Sequence, residues 1–343
     1  MRCAILYLGR RGAGSALTKT LLSKFPQECV ILSSRNEDFL LSDSKPMSEQ
    51  IVITWPRYFL YFISPIILEK MVSRILEEQQ IERVLLPMPS PLDSRILRGI
   101  RKRGFEVVSI VHDAKRHPGD LWPRNIDIKR IFIASNYIIT LSAYVKSQLI
   151  ELYGNSKTIL DIPHPVFDFR KEKDNDFFPK DYFLFIGRIK KYKGVNLLLE
   201  AWKLAGIEDQ MLLVAGKGRL KRKFFHYPYV SILNDWLSEE KMLALMSRAK
   251  IIIFPYLESS QSGLIPLAIS LQKRLVVSNL PGLQEQVGEY DKCTFFESGE
   301  VESLTLALSR ISLEGNNEFN EEHDLELDEG WAVMNNSFRT KLG

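Results

Sequence analysis

The residues of this 343-residue chain whose types and spacing could do chemistry gather mainly in its second half. A short apolar run at 183–186 ends in Gly187-Arg188 and leads into Lys190-Lys191-Tyr192-Lys193-Gly194. Glycine lets a backbone approach a ligand closely, and Arg and Lys place charged donors at a strand end. A diphosphate is the anion such a set would hold; the plain alternative is a solvated basic loop. A second stretch, Gln261-Ser262-Gly263-Leu264-Ile265-Pro266-Leu267-Ala268, follows the run at 251–255. Small residues there open a helix with Pro266 in its first turn, and free amides at a helix start bind phosphate. Read plainly, it is an ordinary strand-to-helix turn. A third stretch is Asn234-Asp235-Trp236-Leu237-Ser238-Glu239-Glu240, in which Ser238 caps the helix that follows.

Two patterns are set aside. Asp174-Asn175-Asp176 has a spacing that can hold a metal, but it lies in a charged linker and reads as solvated. Gly12-Ala13-Gly14 lacks the third glycine of a dinucleotide fingerprint, since Leu17 stands at that position.

Alternating apolar runs and amphipathic stretches must position these residues. Strands are expected at 2–8, 29–33, 84–87, 107–112 and 137–141, with helices at 16–25, 69–79, 92–103 and 143–153. The pattern breaks at 161–180, where Pro163, Pro165 and Pro179 accompany a charged run. It restarts with strands at 182–186, 211–215, 251–255 and 274–278. The matching helices fall at 196–204, 238–249, 265–271 and 301–310. Such alternation implies parallel sheets with crossover helices, here two doubly wound domains. The expected domains are 1–170 and 171–328, with a terminal helix in 329–343 that packs back on the first. Residues 313–330 read as an acidic loop. Ligands of such sheets bind outside the carboxyl ends of the strands, so a cleft between two facing domains is the expected site.

Composition is that of a globular protein, 45% hydrophobic and 26% charged. The cysteines Cys3, Cys29 and Cys293 are far apart, which suggests neither a zinc site nor a disulfide framework and favours a reducing cytoplasm. No signal-peptide pattern is visible at the start. The net charge of +4 is uneven: residues 1–170 carry +7 and 171–343 carry −3. A basic first half suits a phosphate-bearing partner, such as anionic lipid or a diphosphate-linked acceptor. No nucleic-acid recognition motif is present, so no nucleic-acid partner is expected. Residues 51–68 read either as a buried strand and helix or as a membrane-touching surface carrying Trp55, Tyr58, Phe59, Tyr61 and Phe62. The basic residues Arg98, Arg101, Lys102 and Arg103 could contact anionic lipid.

Taken in order, these pieces resemble the carboxyl-terminal domain of family 4 glycosyltransferases, the glycogen-synthase-like retaining group of the GT-B fold. The resemblance runs from about Tyr182 to Val287 and includes Gly216-Lys217-Gly218 and Leu280-Pro281-Gly282-Leu283-Gln284-Glu285. In the first half it rests on Gly12-Ala13-Gly14, Val111-His112-Asp113 and Thr140-Leu141-Ser142-Ala143-Tyr144-Val145. Within the group the chain looks most like transferases of bacterial capsule, exopolysaccharide or O-antigen assembly.

The resemblance implies a GT-B protein that moves a sugar from a nucleotide-diphosphate carrier, UDP- or GDP-linked, with retention of configuration and without a metal or other cofactor. Arg188 and Lys193 would hold the donor diphosphate. The amides of Gly263, Leu264 and Ile265 would cap it, and Gly12 or Gly14 would let the first loop approach it. Asp235, Trp236 and Leu237 would line the nucleobase. His112 would face the transferred sugar, although a lone histidine at a strand end can be structural. The acceptor, a glycan or an undecaprenyl-diphosphate-linked oligosaccharide, would meet Arg10, Arg11, Lys115, Arg116 and His117 on a cytoplasmic protein that is peripheral at the inner membrane face. The family usually places two glutamates where this chain has Ser260 and Ala268. The resemblance therefore leaves ribose recognition open, with Glu258 or Gln261 as stand-ins for the sugar-contacting carboxylate. A non-catalytic GT-B subunit and a sugar-nucleotide epimerase are the competing readings.

Overall fold

The computed structural model describes residues 2–8, 14, 17–18, 30–34, 48–51, 60–88, 90, 92–116, 125–164 and 181–313. They fall into two compact units, one ending with 125–164 and the other spanning 181–313. Outside the described residues lie Gly12, most of the helix expected at 16–25, and the linker from 165 to 180. The acidic stretch from 314 and the expected terminal helix lie outside them as well.

Among the described residues, the first unit holds a seven-stranded sheet of β1 Cys3–Tyr7, β2 Val30–Ser34, β3 Ser48–Ile51, β4 Arg83–Leu86, β5 Glu106–Val111, β6 Tyr137–Thr140 and β7 Thr158–Asp161. The strand order is β3-β2-β1-β4-β5-β6-β7, and every pairing is parallel. Central strands are buried on both faces and read as apolar runs. Arg83 is the exception within β4: its Nε donates to Glu106 Oε1 at 2.5 Å across the register-paired β5. The helices Pro65–Glu78, Asp93–Lys102 and Asn125–Ala134 pack one beside the next, with Leu68, Val72, Ile96, Leu97 and Ile131 turned inward. Helix Ala143–Tyr153 starts at Ser142, whose hydroxyl accepts from the Val145 amide at 3.2 Å.

The second unit holds β8 Tyr182–Ile186, β9 Leu212–Ala215, β10 Val230–Leu233, β11 Ala249–Phe254, β12 Arg274–Ser278 and β13 Cys293–Phe296. Their order is β10-β9-β8-β11-β12-β13, again all parallel. Helices Val195–Ala205 and Val301–Leu313 pack against each other, and the Trp202 ring meets Phe183 edge-on at 5.1 Å. Tyr182 donates to the Leu245 carbonyl at 2.7 Å, tying helix Glu239–Arg248 to β8.

Several elements differ from the sequence reading. Strands β3, β7, β10 and β13 and helices Asn125–Ala134 and Pro281–Val287 are additional, and β7 ends at Asp161, the first residue assigned to the linker. The aromatic-rich segment after β3 also differs. Tyr61 is buried and Phe62 half-buried, whereas the aliphatic Leu60, Ile63, Ile66 and Ile67 are exposed. Neither described aromatic is therefore a free interfacial ring; Trp55, Tyr58 and Phe59 lie outside the described residues.

Candidate functional site

In the second sheet, β8 leads to β9 on one side, while its neighbour β11 leads to β12 on the other. The chain reverses direction here, and a crevice opens outside the carboxyl ends at such a switch point. Gly187-Arg188 leaves β8 at this edge, and Pro255-Tyr256 leaves β11 beside it. The segments are clamped together. The Leu257 amide donates to the Tyr192 carbonyl at 2.7 Å. Gly194 sits at φ 68 between the turn Lys191–Lys193 and helix Val195–Ala205, and a Cβ there would overlap the Pro255 carbonyl oxygen. Only glycine satisfies both the left-handed backbone and the close approach.

The two sequence-defined motifs meet through side chains. Arg188 Nη2 donates to the Tyr192 hydroxyl at 3.3 Å. Lys193 Nζ lies 3.5 Å from the centroid of the Tyr256 ring, a cation–π contact. The Tyr256 hydroxyl in turn lies 3.2 Å from Ser262 Oγ, beside Gly263. Burial raises the Tyr256 phenol well above its ordinary range, so it remains protonated and can donate. The loop is fixed from behind by Gln286, whose Oε1 accepts from the Ser262 amide at 2.6 Å while Nε2 donates to the Ser262 carbonyl at 3.3 Å.

Helix Leu264–Ser270 follows. Its first amides have no partner within the helix. That of Ile265 turns back to the Ser262 carbonyl at 3.2 Å, so Gly263 and Leu264 are the better-placed donors of the three. Ser260 and Ala268 are buried, Glu258 is exposed, and Gln261 is half-buried with its carbonyl accepting from Ser259 Oγ at 2.7 Å.

The loops after β8, β9 and β10 are laced in turn. The Ile189 amide donates to the Lys217 carbonyl at 2.9 Å, and the Asn234 side chain bonds Gly218 in both directions at 3.0 Å. Beyond Asn234, Asp235 Oδ1 accepts from the Trp236 amide at 2.7 Å, Trp236 is exposed and Leu237 is buried. Ser238 caps the next helix by accepting from the Lys241 amide at 3.2 Å.

The first unit has its own switch point, between β1 and β4. Gly14 packs there so closely that a Cβ would stand 2.8 Å from both Met88 Sδ and Tyr7 Oη. His112 follows β5, and its Nε2 donates to the Pro87 carbonyl at 3.0 Å. Burial holds the imidazole below its ordinary pKa, so it is neutral with the proton on Nε2. Gly14 and His112 thus both rest on the loop after β4. Lys115 and Arg116 are exposed; Arg10, Arg11, Gly12 and His117 lie outside the described residues.

Sequence reasoning passed over four supports: Tyr192, Tyr256, Gln286 and Asp93. Asp93 is fully buried at the start of helix Asp93–Lys102. Its Oδ2 accepts from the Ser90 amide at 2.5 Å, its Oδ1 has no hydrogen-bond partner among the described residues, and burial raises its pKa to about 7.

Residues 180–313 match the family described as Glycosyl transferases group 1. No curated protein matches the sequence at a significant level. Solved structures match almost the whole chain in fold. Anabaena HepE in complex with UDP and glucose has a TM-score of 0.69 at 15% identity, covering 91% of this chain and 90% of its own. Sucrose-phosphate synthase from Thermosynechococcus elongatus has a TM-score of 0.67 at 14% identity, covering 91% and 90%. UDP-GlcNAc 2-epimerase from Methanocaldococcus jannaschii has a TM-score of 0.64 at 11% identity, covering 100% of both. At these identities the likeness shows the fold: two parallel-sheet Rossmann-like units of GT-B type. The family match over the unit that carries Arg188, Lys193 and Gly263 supports a glycosyltransferase.

Proposed function

We propose that the protein is a retaining, metal-independent glycosyltransferase that moves a hexose from a UDP- or GDP-sugar to a glycan or an undecaprenyl-diphosphate-linked acceptor, in surface polysaccharide assembly at the inner face of a membrane. The observation that carries this reading is the contact chain Lys193–Tyr256–Ser262, which joins the basic loop after β8 to the glycine loop after β11. A diphosphate at this edge is reached by Arg188, by Lys193 and by the amides of Gly263 and Leu264. Asp235 and Trp236 extend the same edge toward a nucleobase, with buried Leu237 supporting them. The complex of HepE with UDP and glucose supports a uridine donor and a hexose.

In the reaction, the bond from the anomeric carbon to the diphosphate oxygen breaks and the electron pair leaves with the diphosphate. An acceptor hydroxyl forms the new bond on the same face, and its proton passes to a phosphate oxygen. Fixed cationic and N–H donors stabilise the charge that grows on the leaving group. Neutral His112, held by Pro87, faces the transferred sugar, and Gly14, close against Met88 and Tyr7, is the glycine that would let the backbone approach the diphosphate. Exposed Glu258 or half-buried Gln261 stands in for the sugar-contacting family carboxylate.

The test is turnover with a panel of UDP- and GDP-sugars, read as nucleoside diphosphate released in the presence and absence of a polyprenyl-diphosphate glycan. Acceptor-dependent release is expected; no release from any donor would remove the reading. The full-length coverage of the 2-epimerase structure keeps one second reading. A change of sugar configuration on the nucleotide, seen by NMR without acceptor, would establish it instead.

A further inference from the structure

We infer that helices Pro65–Glu78 and Asp93–Lys102 of the first unit form a membrane-docking face that seats an anionic phospholipid headgroup. The helices approach closely at Gly99, where a Cβ would stand 2.5 Å from Glu69 Cγ. Beside that contact lies an open groove of about 310 Å³ lined by Pro65, Ile66, Glu69, Arg95, Arg98 and Lys102. Its single carboxylate is already engaged, because Arg103 Nε donates to Glu69 Oε1 at 2.7 Å. Arg98 and Lys102 are exposed and make no ion pair among the described residues. The groove is therefore cationic and open.

An apolar rim adjoins it. Ile63 is 65% exposed and Ile66 62%, with Leu60 and Ile67 also exposed. Single exposed aliphatics are ordinary; four within eight residues, Leu60 and Ile63 just before helix Pro65–Glu78 and Ile66 and Ile67 in its first turn, form a patch. Arg95 joins the rim to the groove: its guanidinium lies 3.8 Å over the Phe62 ring and donates to the Phe62 carbonyl at 2.9 Å. Aliphatic side chains that enter the acyl boundary, next to cations at headgroup level, are what an interfacial anchor requires. The +7 charge of residues 1–170 favours the same anionic surface. Among the described residues no helix is long and apolar enough to cross a membrane.

The inference takes up the membrane partner of the proposed function. Its test uses neither donor nor acceptor, so either idea can fail while the other stands. Full-length protein is floated with vesicles of phosphatidylcholine alone or with 30 mol% phosphatidylglycerol at low salt. Binding to the anionic vesicles, reversed by salt, is expected. Arg98→Ala with Lys102→Ala should lower the partition about thirtyfold, at roughly 1 kcal/mol for each cation near an anionic surface. Ile63→Ser with Ile66→Ser should lower it about tenfold or more. All four side chains are exposed or partly so, and melting temperatures should not change. Absence of wild-type binding to anionic vesicles, equal binding to neutral ones, or undiminished binding by both variants would overturn the inference. Self-association that the isoleucine variant abolishes, without vesicle binding, would overturn it in favour of a protein contact.

Discussion

Lys193 holds its ammonium 3.5 Å from the centroid of the Tyr256 ring, and the far end of the same tyrosine lies 3.2 Å from Ser262. One buried side chain thus links the cation of one loop to the serine that precedes Gly263 in another. Tyr256→Phe keeps the ring and loses the hydroxyl contact, worth about 1 kcal/mol. Donor KM should then rise about fivefold with kcat little changed. Tyr256→Leu also loses the cation–π contact, worth roughly 0.5–2 kcal/mol, and should raise KM further. Equal donor KM in wild type and both variants would show that the link does not position the site.

Arg188 is exposed at the end of β8, restrained by Tyr192. Arg188→Ala should lower kcat by roughly 10²–10³, the usual loss on removing one donor to a developing charge. Its melting temperature should be unchanged. Wild-type turnover would refute the assignment.

If Arg188 and Lys193 supply the positive charge that a divalent ion supplies elsewhere, transfer should persist in excess EDTA. Loss of activity, restored by Mg²⁺ or Mn²⁺, would mean that these side chains are insufficient.

Gly194 combines φ 68 with contact to the Pro255 carbonyl. Gly194→Ala should cost at least about 1–2 kcal/mol from the left-handed backbone alone. The melting temperature should fall by several degrees, and donor affinity should fall with it as the two loops separate. An unchanged denaturation curve would contradict the close approach.

Asp93 gives a pH signature. Its folded pKa is raised to about 7, so the folded state holds a proton that the unfolded chain releases near pH 4. The stability this contributes is complete below about pH 4 and is lost as pH rises through about 7. His112 acts oppositely: its folded pKa is lowered, so stability is lost as pH falls below about 6.5. Asp93→Asn should flatten the decline between pH 4 and 7. Parallel urea-stability profiles for variant and wild type would contradict a protonated Asp93.

What the sequence disclosed follows burial. Interior strands such as β8 and β9 are buried along their whole length and read as continuous apolar runs. The strands that sequence reasoning missed, β3, β7, β10 and β13, are the four sheet edges. β7, β10 and β13 are only partly buried, so they carry mixed residues without a clear period. The candidate site is legible in the sequence where glycine and cations stand together, at Gly187-Arg188 and Lys193-Gly194. Its supports are not. Tyr256 and Gln286 look like ordinary core and surface residues, and their roles arise from contacts 63 and 24 residues away in sequence, to Lys193 and Ser262. In residues 51–68, where the sequence offered a surface of aromatic rings, the exposed side chains are the aliphatic Leu60, Ile63, Ile66 and Ile67, a choice of face that composition alone does not make.

The diphosphate site is decided by isothermal titration of UDP and GDP into the wild type, Arg188→Ala and Lys193→Ala. At least one nucleotide should bind the wild type, and each variant should bind it at least tenfold more weakly while melting at the wild-type temperature. Failure of both nucleotides to bind the wild type, or equal affinity in all three proteins, would contradict a diphosphate site at the carboxyl edge of β8 and β11.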